Sequence, residues 1–182
     1  MGGQETLLLL ARHPHLLAGA AAFDSVTDLA RQYRLMPQIA CNERCRQMEG
    51  EPLGKALQGF VREEVGGSPT DARLAFSQRS PITYARAIAF SCVPLQMWWS
   101  VADRIVINQQ EQSGKLFWKL RLLNRNAPVQ AFVGNWIHSS EMRSTTRLPF
   151  ALATFGLLPS RYKLWTTDLH AVPPPKTSDS CR

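Results

Sequence analysis

Cysteine is scarce in this chain: four in 182 residues, too few for a disulfide scaffold. Cys41 and Cys45 share a helical face, but zinc needs two further ligands. Neither Cys92 nor the histidines offer a recognisable second half. No metal and no cofactor are therefore expected, and the cysteines read as isolated thiols of a reducing, cytoplasmic setting. Long apolar runs are also missing. Leu7 to Leu10 is closed by Arg12 and His13, far short of a bilayer span. The opening Met1-Gly2-Gly3-Gln4-Glu5-Thr6 carries an acid and no basic stretch, so no secretory signal is visible and no membrane partner is expected. A net charge of +7 is spread over single residues such as Arg12, Arg31, Arg34, Arg62, Arg79 and Arg104. A nucleic-acid interface gathers such charges on one face, so no nucleic-acid partner is expected and a mildly basic solvated surface is.

What remains is globular composition, 45% hydrophobic and 19% charged, at a length suited to one domain. That domain is placed at residues 1–160, with a tail at 161–182. The tail is expected to be disordered from about Val172, where Pro173-Pro174-Pro175 precedes polar residues. Three short apolar segments, Leu17 to Phe23, Val93 to Trp99 and Val129 to Val133, read as strands. Between them lie helical patterns. Gln4 to Arg12 is leucine-rich and closed by His13-Pro14. Ser25 with Asp28 resembles a capping box for a helix ended by Pro37. Residues 38 to 65 read as helical with a break at Gly50 to Pro52, and Gly66-Gly67 reads as a turn. Ser68-Pro69-Thr70-Asp71 has the cap, proline and first-turn acid of a helix start, and Leu116, Phe117, Leu120 and Leu123 are at helical spacing. Strands alternating with helices predict an α/β fold of about three parallel strands with flanking helices.

In such folds functional residues gather at the carboxyl ends of strands. The second strand is followed by Asp103 and the third by His138, one helix and one strand further on. Adjacent parallel strands bring both to one rim, where a carboxylate can orient an imidazole. This is the acid–histidine half of a hydrolytic triad, in which histidine relays a proton and aspartate fixes its tautomer.

The opening Met1-Gly2-Gly3-Gln4-Glu5-Thr6 resembles the continuation of a Gly-x-Ser-Met-Gly-Gly nucleophile elbow. Gly67-Ser68-Pro69, Arg79-Ser80-Pro81-Ile82 and Ala102-Asp103-Arg104-Ile105-Val106 follow in matching order. On these motifs residues 1 to 155 resemble the C-terminal part of a prolyl-oligopeptidase-like (S9-type) serine peptidase, of the α/β-hydrolase superfamily. The resemblance implies a serine hydrolase acting by acyl transfer on a peptide or ester substrate. Asp103 and His138 would be its acid and base. The nucleophilic serine would precede Met1, and the backbone N–H of Met1 would serve the oxyanion hole. Trp99-Ser100 stands where the family commonly has His-Gly, and Trp136-Ile137 precedes His138 where it often has Gly-His. A chain without its serine is also consistent with a catalytically inactive or truncated product, and the +7 charge with a binding module.

Other residues have plainer readings. Asp24 is a rival acid after the first strand, although Ser25 and Asp28 suggest a helix start there. His13 is a helix-end residue, and His15 and His170 have no evident partner. Trp98, Trp99 and Trp136 read as packing. Ser25, Ser100, Ser139 and Ser140 lie near strand ends, but none sits in a Gly-x-Ser-x-Gly frame.

Overall fold

A computed structural model describes residues 2–39, 53–138 and 147–162, together with the backbone of 170–172. The protein is mixed α/β. Three strands, β1 (Ala20–Phe23), β2 (Leu95–Ser100) and β3 (Val129–Gly134), run parallel with β2 in the middle. The long connections between them allow this, because parallel neighbours need a crossover. Each strand lies within three residues of its sequence expectation. The helices among the described residues are α1 (Gly2–Arg12), α2 (Leu29–Leu35), α3 (Leu53–Val65), α4 (Arg73–Gln78), α5 (Ala85–Ala89), α6 (Ser113–Leu123) and α7 (Arg147–Thr154). None is long and apolar enough to cross a membrane.

The alternation of strand side chains divides the core. Ala20, Ala22, Leu95, Met97, Trp99, Val129 and Ala131 point to one face, where they pack with Leu7 and Leu10 of α1, Ile88 of α5, and Leu116, Phe117 and Leu120 of α6. Alanines on β1 let α1 approach closely. On the other face Phe23, Trp98 and Phe132 share one register row and stack, with centroids 5.2 and 4.0 Å apart. Phe150 of α7 meets Trp98 and Phe132 edge-on. Burying aromatic rings of this size contributes strongly to stability.

Local differences from the sequence reading have local causes. Ser25 is not a cap. Asp28 is the N-cap, accepting from the Arg31 N–H at 2.9 Å, and the helix begins at Leu29. The serine–proline segment does not open a helix either. Ser68 Oγ donates to Asp71 Oδ2 at 2.6 Å and the Asp71 N–H returns to Ser68 O, closing a local turn. Helix α4 starts only at Arg73. This is the competition that short polar side chains offer to helix formation. Gly66 and Gly67 form the expected turn, with φ of 86° and 152° that favour glycine. The expected helix over 38–65 is met by α3 for residues 53–65. Residues 40–52, with the break at Gly50 to Pro52 and with Cys41 and Cys45, lie outside the described residues. Cys92 is disulfide-bonded and not the isolated thiol expected. The tail contributes a strand, β4 (His170–Val172), which pairs antiparallel with β3. Three residues are too short for periodicity to mark, and their order comes from the ladder that β3 offers.

Candidate active site

The carboxyl ends of the three parallel strands carry a buried polar cluster. Beyond β2, Asp103 folds back over its own loop: Oδ1 accepts the N–H groups of Ile105 at 2.8 Å and Val106 at 3.0 Å. Oδ2 accepts Gln109 Nε2 at 3.0 Å and lies 2.9 Å from His138 Nδ1. Gln109 is fixed in turn by Ser113 Oγ, which donates to its Oε1 at 2.8 Å. The Asp103 carboxylate is fully buried and the His138 ring about a quarter exposed, at 24%. Burial by itself pushes the Asp103 pKa up. The hydrogen bonds from His138 and Gln109, the charge of His138 and the Ile105 N–H outweigh it, and the carboxyl is held below its ordinary value. An ionised carboxylate only accepts, so Nδ1 of His138 carries a proton whether the ring is charged or neutral, and in the neutral ring Nε2 is the basic nitrogen.

The loop bearing His138 is tied to the loop bearing Asp103. Ser100, the last residue of β2, donates Oγ–H to Trp136 O at 2.6 Å and accepts the Trp136 N–H at 2.8 Å. His138 also lines a cavity of about 390 Å³, with Val26, Met36, Leu57, Phe60, Val61, Ile105 and Val106 as its apolar wall. Gly3 and Gln4, at the start of α1, open into this cavity. A Cβ on Gly3 would fall 2.6 Å from Phe23 O and 2.2 Å from Ser25 Oγ, so only glycine lets α1 begin so close to the end of β1.

The two sequence-derived site residues are therefore brought together. Asp24 also reaches the rim. One polar atom each of Asp24, Asp103 and His138 lies within 4.8 Å of the others, a grouping able in principle to meet a cation. Several of their atoms already carry hydrogen bonds. His138 Nδ1 faces Asp103, and the Asp24 oxygens accept the Trp136 indole N–H and the Ser100 N–H. Trp98, Trp99 and Trp136 are buried, in keeping with packing, though Trp136 also donates to Asp24. Ser25 Oγ is buried beneath Gly3 and Ser100 Oγ is taken by Trp136. Among the described residues His138 hydrogen-bonds no hydroxyl. The expected oxyanion residue Met1, and Ser139 and Ser140, lie outside the described residues.

The sequence reading passed over Gln109, Gln112 and Ser113. Gln112 is fully buried and its Oε1 accepts the N–H groups of Thr27 and Asp28 at 3.0 and 2.8 Å. The available signal was a polar run rich in side-chain amides, Asn108 to Ser113, immediately before the apolar positions of α6. No protein-family model matches the chain, and no curated protein does.

Proposed function

We propose that the chain is the C-terminal part of a serine hydrolase of the prolyl-oligopeptidase-like kind, with His138 as general base and Asp103 as its orienting acid. The observation that carries this reading is the 2.9 Å contact between Asp103 Oδ2 and His138 Nδ1, made from the ends of adjacent parallel strands beside an apolar cavity. In this mechanism Nε2 of His138 takes the proton of a serine hydroxyl as the oxygen attacks an acyl carbon. The same nitrogen then returns the proton to the leaving amine or alcohol. Buried Asp103 stays ionised, holds the ring in the Nδ1–H tautomer and stabilises the imidazolium. The serine is expected just upstream of Met1. The opening of α1 at Gly3 and Gln4 into the His138 cavity supports that placement, because the elbow of this fold sits at the start of such a helix. The apolar wall suits an apolar substrate group.

The 182-residue chain should not react with a fluorophosphonate probe, and a longer protein supplying an upstream Gly-x-Ser should be labelled at that serine. Stoichiometric labelling of the 182-residue chain at any of its own serines would overturn the assignment. The same chain with no activity after the upstream segment is restored would favour the inactive alternative.

A further inference from the structure

A second buried carboxylate stands at this rim, and the proposed mechanism gives it no chemical step. Asp24 ends β1 with φ 44°, the left-handed region that a non-glycine residue enters uncommonly and aspartate more readily than most. Its N–H still bonds Trp98 O at 2.8 Å, so the strand ladder holds the backbone while the turn sends the carboxylate across the sheet. There Oδ1 accepts the Ser100 N–H at 3.1 Å. The Trp136 indole N–H lies 2.9 Å from Oδ2 and 3.2 Å from Oδ1. Ser100 leads into the loop bearing Asp103, and Trp136 precedes His138 by two residues. One carboxylate therefore grips both loops.

We infer that Asp24 is a positioning residue, which sets the Asp103–His138 contact by fastening the acid loop and the histidine loop to the end of β1. A left-handed non-glycine residue kept at a strand end by such contacts fits this role, since backbone strain concentrates where geometry must be held. The direct Ser100–Trp136 bonds hold the backbones together. Asp24 adds the indole side chain and so the angle at which the histidine loop leaves β3. The role rests on Asp103 and His138 being the acid–base pair proposed above, and it is read without turnover.

The test uses the 182-residue chain with labelled histidine, following solvent exchange of the His138 Nδ1 proton by NMR. Asp24→Ala and Trp136→Phe should each speed that exchange roughly tenfold, about the net worth of one hydrogen bond. Asp24→Asn keeps an acceptor for the indole and should fall between. The double substitution should add little to Asp24→Ala, because Asp24→Ala already removes the indole contact that Trp136→Phe removes. Exchange at the Trp98 indole, which donates to Gln96 Oε1, should be unchanged and so reports general loosening. If Asp24→Ala does not fold, Trp136→Phe decides alone. His138 exchange at the parental rate in Trp136→Phe, or changes matched at Trp98, would overturn the positioning role. A parent chain with no protected Nδ1 proton would remove the acid–base pair itself, a separate failure.

Discussion

Two aspartates follow adjacent strands of the same sheet, both buried, both accepting N–H donors, and they differ in what they hold. Asp103 follows β2 by a short loop that supplies two backbone N–H groups to one oxygen, leaving the other for Gln109 and His138. Asp24 follows β1 directly and spends its oxygens on Ser100 and Trp136. Position at a strand end makes either a candidate acid. Which one orients the histidine depends on loop length: three residues beyond Ser100 suffice to turn Asp103 toward the third strand. Asp24, on the edge strand and adjoining its ladder, reaches the loops and leaves the ring nitrogen to Asp103. The two buried carboxylates thus differ in their donors, which for Asp103 include the His138 ring and for Asp24 the Trp136 indole.

Turnover should separate the two aspartates most strongly. In a longer protein with the upstream serine, His138→Ala should lower turnover by several orders of magnitude. Asp103→Asn should cost about 10⁴-fold through the wrong tautomer, and Asp24→Asn up to about a hundredfold through misplacement. Steady-state kinetics with an ester substrate checks the order. A silent Asp103→Asn with an inactive Asp24→Asn would exchange their roles.

A smaller effect is expected in the pH dependence of stability. Because the Asp103 carboxyl is held below its ordinary value in the folded chain, its contribution is fully present above the unfolded pKa of about 4. It is lost as pH falls through the folded value. Denaturant unfolding at descending pH should therefore show a steeper loss in the parent chain than in Asp103→Asn below about pH 4. Parallel curves would mean that the hydrogen bonds to Asp103 do not favour its ionised form. The smallest effect belongs to the third aspartate of this region, Asp28, which caps α2. Asp28→Ala should cost about 1 kcal/mol in denaturant unfolding and leave His138 exchange unchanged. A change at His138 would mean that the β1 loop acts on the site as one unit.

Apolar patterning along the chain was enough to predict three strands alternating with helices, and with them the parallel arrangement of β1, β2 and β3. The sequence also placed Asp103 and His138 at strand ends, because periodicity and strand-end position are properties of short stretches of chain. Local polar competition misled it at Ser25 and at Ser68. There side chains able to cap a helix instead pack beneath Gly3 or close a turn. Strand β4 was illegible because three residues become a strand only through a neighbour's open ladder. The sequence already favoured Asp103 over Asp24 as the partner of His138, whereas the contacts of Asp24 and the parts played by Gln109, Gln112, Ser113 and Trp136 emerged only with the tertiary structure. A carboxylate's role depends on donors that arrive from elements far away in sequence, and only the packing of those elements brings the donors within hydrogen-bonding distance.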